Sequence, residues 1–369
     1  MKLLILNWQD IKNPLAGGAE VHLHEVFSRI ARSGHEVTLY CSAFPGSASE
    51  EVIDGIRVLR EGGRHFFNYR VPAAYRGRLA RTSFDVVIDD MNKIPFFTPL
   101  YVRTPLVCVT HHLFGGSIFK ETNPLLASYV CTLERLGVAL FASRNVPFIV
   151  GSPSTRDELI RKGCNPESVH VVYYAVDHRV HRVTGVPKSP SPMIGYFGRL
   201  KRYKNVDHLL RAVPLLRERI PELKVVIAGD GDDRVRLQKL ARKLDLDRSV
   251  EFTGFIAEQR KVDLLQQMWC KVTTSSKEGW GLTVLEANAC GTPVVASNVQ
   301  GLRDAVRDGE TGLLYAYGDI ADLTEKVHRV LTDSRLRQSL SKSALEYAST
   351  FTWEKAAEAT LDILDRARR

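Results

Sequence analysis

The chain has 369 residues, and its 51 Lys and Arg against 42 Asp and Glu leave a formal net charge of +9. Hydrophobic residues make up 44% and charged residues 25%, which is typical of globular proteins and excludes a disordered or fibrous chain. At roughly 150 residues per domain the length predicts two domains. The positive charge favours anionic partners, but it does not separate nucleic acid, lipid and phosphorylated metabolites.

Short apolar, β-branched runs alternate with amphipathic stretches along the chain. In the first half the pattern predicts strands at 3–7, 36–41, 85–89, 106–110 and 148–151, and helices at 18–32 and 154–162. In the second half it predicts strands at 193–197, 224–229, 250–253, 272–275 and 293–297, and helices at 205–219, 234–244 and 282–289. This alternation predicts an α/β fold with parallel sheets covered by helices on both faces.

The pattern restarts after residues 177–192, which contain three prolines, a glycine and scattered His and Arg. We place a linker there, with doubly wound domains at 1–176 and 193–349. In such folds ligands bind at the carboxyl ends of the strands, so two domains suit the joining of two substrates. The six cysteines form no C-x-x-C pair, and neither metal binding nor redox chemistry is expected of them.

The most informative motif is the segment 278–286, EGWGLTVLE, between a predicted strand and a predicted helix. Gly279 and Gly281 allow a sharp turn and a close approach of the backbone to a ligand. The free N–H groups near Leu282 and Thr283 predict a helix-terminus site for a diphosphate. Glu286, inside the helix, is suited to accept hydrogen bonds from a ribose diol.

A basic cluster, GRLKRYKN, follows the predicted strand at 193–197. Arg199 and Lys204 are five residues apart, at a strand end and a helix start, so they could clamp a diphosphate from two sides. A solvated basic loop is the alternative. Two further segments also follow strands: Gly17-Gly18, whose N–H groups could meet an anion, and Thr110-His111-His112.

At these residues the chain resembles the family-4 retaining glycosyltransferases of the GT-B fold. That family has two glutamates separated by seven residues, the first followed by Gly, an aromatic and Gly, which match Glu278 and Glu286 with Trp280 as the aromatic. The resemblance continues through 287–296, 301–304 and 308–313 and covers nearly the whole chain. It implies two Rossmann-like domains facing across a cleft, with the C-terminal segment 350–369 crossing back to the first domain.

The resemblance also implies roles for individual residues. His111, Arg199, Lys204 and Glu278 would be catalytic: the two cations neutralise the leaving diphosphate, and His111 and Glu278 orient the transferred sugar. The donor site would further comprise Gly17, Gly18, Gly198, Gly229, Asp230, Phe255, Ile256, Gly279, Trp280, Gly281, Leu282, Thr283 and Glu286. Acceptor contacts are assigned to Asp89, Asp90, Asn92 and His112.

The expected reaction is retaining transfer of a hexose-type sugar from a nucleoside diphosphate sugar, UDP-linked or GDP-linked, to a hydroxyl of a glycan, a lipid-linked molecule or a small molecule. No cofactor and no metal are expected, since fixed cations and helix termini replace the metal. The D-x-D pattern at Asp230 and Asp232 is interpreted as a loop. Alternatives are a nucleotide-sugar epimerase of the same fold and a non-catalytic binding protein.

Seven arginines between Arg57 and Arg81 face one acidic residue, Glu61, within that span and interleave with aromatic residues. This pattern indicates either contact with an anionic membrane or a solvated basic face. The N-terminal apolar run is too short for a signal peptide, so a cytoplasmic protein, peripheral on the cytosolic membrane face if this surface binds lipid, is expected. No nucleic-acid partner is expected, because the sequence contains no recognised binding module.

Overall fold

The computed structural model describes the backbone of all 369 residues and every side chain except that of Lys120. It divides into two compact units. Unit 1 comprises Met1–Ala175 and Trp353–Arg369, and unit 2 comprises Val176–Thr352.

Unit 1 contains an eight-stranded sheet in the order β3-β4-β2-β1-β5-β6-β7-β8. Its strands are β1 Lys2–Leu6, β2 Glu36–Cys41, β3 Glu50–Ile53, β4 Ile56–Arg60, β5 Val86–Met91, β6 Leu106–Thr110, β7 Phe148–Val150 and β8 Val169–Val171. All neighbours pair in parallel except β3 and β4, which form an antiparallel hairpin. Its first four helices are α1 Gly18–Arg32, α2 Phe67–Gly77, α3 Pro124–Ser143 and α4 Pro153–Arg161.

Unit 2 contains a six-stranded parallel sheet in the order β11-β10-β9-β12-β13-β14. Its strands are β9 Met193–Phe197, β10 Lys224–Ala228, β11 Val250–Gly254, β12 Cys270–Thr273, β13 Val294–Ser297 and β14 Gly312–Tyr315. Its helices are α5 Val206–Arg219, α6 Arg234–Lys243, α7 Glu258–Gln267, α8 Leu282–Ala289, α9 Leu302–Ala305, α10 Ile320–Thr332 and α11 Ser334–Ser349.

Each sheet has a point at which the strand order reverses, between β1 and β5 in unit 1 and between β9 and β12 in unit 2. Ligands of open α/β sheets bind outside the carboxyl ends of the strands at such points. The loops after these four strands therefore define where a site is expected in each unit.

The last helix, α12 Trp353–Arg368, belongs to unit 1 although it follows unit 2 in the sequence. It packs against α1, β5 and β6 and buries Trp353, Ile363 and Leu364. Arg29 on α1 also donates a hydrogen bond of 2.8 Å to Glu354. Apolar burial of this kind is the main source of its attachment.

The stretch 177–192, expected to be a linker, is instead part of unit 2. Lys188 donates hydrogen bonds to the carbonyl of Met268 at 2.6 Å and to the hydroxyl of Thr292 at 2.8 Å. The amide of Thr184 donates to the side-chain oxygen of Gln266. These polar groups bond to other residues of unit 2, and the segment forms neither a helix nor a strand.

Candidate functional site

In unit 2 the loop after β12 leads into α8 through a left-handed glycine. Gly281 has φ +101° and is the N-cap of α8, a conformation that glycine adopts without the steric cost of a Cβ. Gly301 approaches the same loop so closely that a Cβ there would lie 2.2 Å from the carbonyl oxygen of Glu278. The loop is thus fixed from both sides, and Leu282 and Thr283 begin the helix beside it, partly exposed.

Lys204 and Glu278 form an ion pair at the carboxyl end of this sheet. The Lys204 ammonium lies 2.5 Å from Glu278 Oε1, which also accepts a hydrogen bond of 2.6 Å from the Ser275 hydroxyl. Burial opposes the charge on Lys204, but Glu278 outweighs that penalty and raises the pKa of Lys204 above its ordinary value. A fixed positive charge therefore stands at the strand ends, where a diphosphate would be stabilised.

The loops after β9 and β10 are packed backbone against backbone. Gly198 and Gly229 have φ +147° and +138°, and a Cβ on Gly229 would lie 2.0 Å from the carbonyl oxygen of Gly198. The amide of Leu200 donates to the carbonyl of Asp230 at 2.9 Å. The approach leaves no room for a Cβ at Gly229, and the positive φ of Gly198 is a conformation that favours glycine, so both predicted glycines have a structural reason to be there.

The remaining predicted donor residues of unit 2 lie on these loops or beside them. Arg199 is exposed. The carboxylate of Asp230 accepts from the amide of Gly231 and pairs with Arg234 at 3.0 Å, as a loop residue would. Phe255, just after β11, is 90% exposed and Ile256 is partly exposed. An exposed phenylalanine of this kind is available to stack on a planar group.

Trp280 differs from the expectation that it contacts the donor. Its side chain is buried, and its ring packs edge-on against Phe351 at 5.4 Å between centroids. The indole therefore holds the 278–281 loop on unit 2. Any donor contact at this position would have to come from its backbone.

Glu286 lies in a charged cluster that local sequence patterns did not predict. Its Oε2 is 2.7 Å from the Lys261 ammonium, which is also 3.1 Å from Glu258, and Glu258 in turn is 2.9 Å from the buried His181 ring. The interaction with His181 is the main reason that the pKa of Glu258 falls to about 2. Among the described side chains, His181, Glu258 and Glu286 have metal-ligand spacing, but Lys261 already supplies a cation to both carboxylates.

In unit 1 a second cluster forms at the ends of β5 and β6. The His111 ring contacts the Tyr174 hydroxyl through Nδ1, and Nε2 lies 3.0 Å from the Asp90 carboxylate. Burial opposes protonation of His111, but Asp90, with a smaller effect from Glu20, raises the pKa of His111. The imidazole is therefore held in one orientation by a carboxylate.

His22, on α1, completes this cluster and was missed by the sequence analysis. Its ring stacks on Tyr174 at 4.1 Å and meets His111 edge-on at 5.6 Å between centroids. Burial, together with the charge of His111, puts the pKa of His22 well below its ordinary value, so His22 is neutral. Its position five residues after Gly17, on the helix that the glycine pair opens, was the available signal.

The glycine pair is used differently from the prediction. The amide of Gly17 donates a hydrogen bond of 2.7 Å to Glu20 Oε2 at the start of α1, which is the half of a capping box that a glycine N-cap allows. That N–H is therefore already satisfied in this structure. Gly18 begins the helix and is exposed.

The predicted acceptor residues Asp89 and Asp90 are neighbours on β5 and point to opposite faces of the sheet. Asp89 is fully buried, accepts a hydrogen bond of 2.7 Å from Thr98, and has a pKa raised to about 7, chiefly by burial. Because successive residues of a strand point to opposite faces, Asp89 is a core residue, and its assignment to the acceptor site is corrected. Asn92 caps the following amide of Lys93, and the His112 ring packs on Phe114.

The predicted basic surface is smaller than expected. Arg60 is fully buried and pairs with Asp10 at 2.6 Å and with Glu51 at 2.5 Å, while Arg57 pairs with Glu50 at 2.7 Å. Both lie on β4 and face the β3 hairpin or the interior. Arg57 is exposed although it is paired, as are the arginines from Arg64 to Arg81, so the predicted surface loses Arg60 alone.

Two family models cover most of the chain: "Glycosyltransferase Family 4" matches residues 16–180 and "Glycosyl transferases group 1" matches 179–347. A D-inositol 3-phosphate glycosyltransferase of Streptomyces bingchenggensis is 35% identical over 96% of this chain and 86% of its own length. A glycogen synthase of Mycobacterium tuberculosis is 26% identical over 100% and 95%.

Solved structures agree on the fold. A sucrose-phosphate synthase from Thermosynechococcus elongatus has a TM-score of 0.83 at 20% identity, covering 99% of this chain and 98% of that one. The Anabaena protein HepE, in complex with UDP-glucose, has a TM-score of 0.78 at 20% identity, covering 99% and 100%. Two Rossmann-like parallel sheets and these likenesses identify the GT-B fold. The chain belongs to the group 1, family-4 glycosyltransferases.

Proposed function

We propose that the protein transfers a hexose-type sugar from a nucleoside diphosphate sugar to a hydroxyl acceptor with retention at the anomeric carbon. The observation that carries the proposal is the Lys204–Glu278 pair beside the glycine-capped start of α8. A half-buried cation next to the first N–H groups of a helix is suited to a diphosphate, and a carboxylate next to it is suited to sugar hydroxyls. The acceptor could be a glycan, a lipid-linked molecule or a small molecule.

In the proposed reaction the bond between the anomeric carbon and the diphosphate oxygen breaks, and the acceptor oxygen bonds to the same face of that carbon. A donor phosphate oxygen takes the acceptor proton. Lys204 and the exposed Arg199 stabilise the negative charge that develops on the leaving diphosphate. Glu286 binds the ribose, and Glu278 and His111 orient the sugar.

The reaction as proposed uses no metal ion. Lys204 is charged and fixed in the structure, and it can perform the charge stabilisation that a divalent cation performs elsewhere. Between Glu258 and Glu286, the Lys261 ammonium likewise supplies the positive charge that a metal ion would supply. We accordingly propose that activity survives EDTA.

A donor screen tests the proposal. Release of nucleoside diphosphate is measured with UDP-, GDP- and ADP-sugars, with and without acceptors and with and without EDTA. UDP-sugars come first, because the related Anabaena structure contains UDP-glucose. Loss of activity in EDTA would contradict the metal-free mechanism, and donor isomerisation without acceptor would identify an epimerase.

Two substitutions assign the residues. Glu286→Ala should mainly raise the KM for the donor, whereas Lys204→Ala should lower kcat by about 100-fold, as removal of one transition-state electrostatic contact does. Lys201→Ala is the matched control, because Lys201 lies on the same loop but pairs with the exposed Asp232. Tight donor binding with no turnover in the wild type would instead identify a non-catalytic binding protein.

A further inference from the structure

The outer surface of unit 1 around α2 and α3 combines exposed apolar side chains with exposed arginines. Residues 62–84 contain five arginines and no acidic residue. On α2 and just before it, Phe66 is 71% exposed and Tyr69 is 61% exposed. Among the side chains that the structure describes, Arg64, Arg70, Arg76 and Arg81 have no carboxylate at salt-bridge distance.

Helix α3 presents the second half of this surface. It is long and apolar enough, by length and composition, to cross a membrane, and 33% of its most apolar window is buried. One side packs into unit 1, where buried Glu134 accepts hydrogen bonds from the amides of Phe114 and Gly115. Its other side exposes Leu125, at 87%, and Leu136. A helix held in a folded unit by one side and apolar on the other is suited to lie in a membrane interface rather than to span it.

Between α2 and α3 lies a groove with a volume of about 350 Å³. Its walls are apolar, and Tyr69 and Tyr129, on opposite helices, join through their hydroxyl groups at 2.7 Å. Leu100, 64% exposed, stands in its lining. Arg76 lies at the same groove with its guanidinium over the Tyr101 ring. The groove thus offers hydrocarbon contact with a cation beside it.

The opposite side of α2 borders a basic cleft of about 330 Å³. Arg70 and Arg78 line it, together with the small residues Ala73, Ala74 and Gly77 and one carboxylate, Glu61, which pairs with Arg78 at 3.1 Å. Guanidinium groups bind phosphate in a bidentate manner. One surface helix therefore separates a groove suited to a hydrocarbon chain from a cleft suited to a phosphate.

We propose that the α2–α3 surface docks unit 1 on an anionic phospholipid bilayer, with one lipid chain in the groove and lipid phosphates on the arginines. Charge complementarity favours this partner, because the four arginines without a carboxylate at salt-bridge distance would meet a uniformly negative headgroup layer. Exposed leucines and aromatic rings supply the apolar contact that holds such a surface at the interface. The docking does not require that the proposed sugar transfer be correct.

Vesicle co-sedimentation of the full chain tests the docking. The wild type should bind phosphatidylcholine vesicles that contain 30% phosphatidylglycerol and bind pure phosphatidylcholine weakly. The triple variant Arg70→Gln, Arg76→Gln, Arg81→Gln should lose about 100-fold in affinity, since each arginine near an anionic surface contributes roughly a factor of five. The matched control, Arg242→Gln, Lys243→Gln, Arg248→Gln, removes the same charge from exposed positions in unit 2 and should bind as the wild type does.

The apolar contact is tested separately. A tryptophan placed by Leu100→Trp should be quenched by dibrominated anionic lipid, whereas one placed by Val235→Trp, at an exposed position of unit 2, should not. Absence of wild-type binding, equal losses in both charge variants, or quenching at neither tryptophan would overturn the proposal. Nucleoside diphosphate release with a soluble acceptor, measured on the same variants, shows whether sugar transfer fails independently.

Discussion

The Lys204–Glu278 pair resembles the Lys201–Asp232 pair in geometry but not in environment. The ammonium–carboxylate distances are 2.5 and 2.6 Å, yet the side chains are 15% and 17% exposed in the first pair and 38% and 67% in the second. Solvent screens an exposed pair, and such pairs contribute about 0–1 kcal/mol. The inner pair should therefore carry most of the electrostatic coupling in this region.

A double-mutant cycle measures that difference. For Lys204→Met and Glu278→Gln, urea unfolding should give a coupling free energy of about 1–3 kcal/mol, because either single substitution leaves a largely buried partner uncompensated. The same cycle with Lys201→Met and Asp232→Asn should give less than about 1 kcal/mol. Equal couplings in the two cycles would show that burial does not strengthen the inner pair.

Lys271 on β12 is a fully buried lysine. Its ammonium bonds to the Thr273 hydroxyl, and burial, only partly offset by Glu286 and Glu278, lowers the pKa of Lys271 to about 7. Unfolded lysine keeps its proton to about pH 10.4, so between these values the unfolded chain binds more protons. The contribution of Lys271 to the free energy of unfolding therefore rises with pH from about 7 to 10 and is lowest below pH 7.

Lys271→Met should remove this penalty. The variant should be more stable than the wild type by on the order of a few kcal/mol below pH 7, and the difference should shrink as the pH approaches 10. Denaturant unfolding of both proteins at pH 6, 8 and 9.5 measures it. A difference that does not change with pH would mean that Lys271 is not neutral above pH 7.

Residue types at the site could be predicted from the sequence, but their partners could not. Glu278 and Lys204 were selected because they follow predicted strands, and Glu286 because it lies in the helix that the 278–281 loop opens. Arg60, however, is buried against Asp10, fifty residues away. Nothing in the sequence distinguishes it from the exposed arginines between Arg57 and Arg81. His181 and Lys261 meet Glu286 only through the fold.

At the scale of elements, apolar periodicity located ten of the fourteen strands that the structure describes. All ten predicted strands occur, because a strand covered on both faces is a continuous apolar run. The pattern failed for the β3–β4 hairpin, where Glu50, Glu51 and Arg57 interrupt it, and it also missed the short parallel strands β8 and β14. β12 begins at Cys270, two residues before the predicted start. The prediction excluded Lys271 because it is charged, although its side chain is buried in the strand.

The contact between the loops after β9 and β10 gives a prediction about glycine. Gly229→Ala should destabilise unit 2 by on the order of 3 kcal/mol, because its Cβ would meet the backbone of Gly198, which cannot move aside as a side chain can. Gly318→Ala is the control: φ there is +88° and no atom lies within 4 Å of the added Cβ. It should cost only about 1–2 kcal/mol, the conformational penalty alone.

Thermal unfolding compares these two variants, and donor titration shows whether the loops still bind. If the proposed donor site is correct, Gly229→Ala should also raise the KM for the donor, whereas Gly318→Ala should not. Equal destabilisation by both alanines would mean that the close approach of the two loops does not exist in solution.

At the scale of the whole molecule, one unit is continuous in the sequence and the other is not. Unit 2 is one continuous segment with its own core, formed by residues such as Val213, Ile227, Val295 and Leu323. Unit 1 consists of two segments, because α12, at the end of the chain, packs with residues 1–175. Local patterns predict α12 as a helix but give no information on which sheet it covers, since its buried face would fit either.

This difference predicts how fragments behave. Residues 176–352 should fold alone with a cooperative thermal transition. Residues 1–175 should not, because without α12 they lose the burial of Trp353, Ile363 and Leu364, roughly 5–9 kcal/mol at 1.5–3 kcal/mol per side chain, which is comparable to the total stability of a domain. Joining 353–369 to residue 175 through a flexible Gly-Ser linker should restore folding, measured by circular dichroism and amide exchange. The same fusion carrying Ile363→Asp and Leu364→Asp should stay unfolded; if it folds, or if 1–175 folds without help, α12 contributes less than its burial implies.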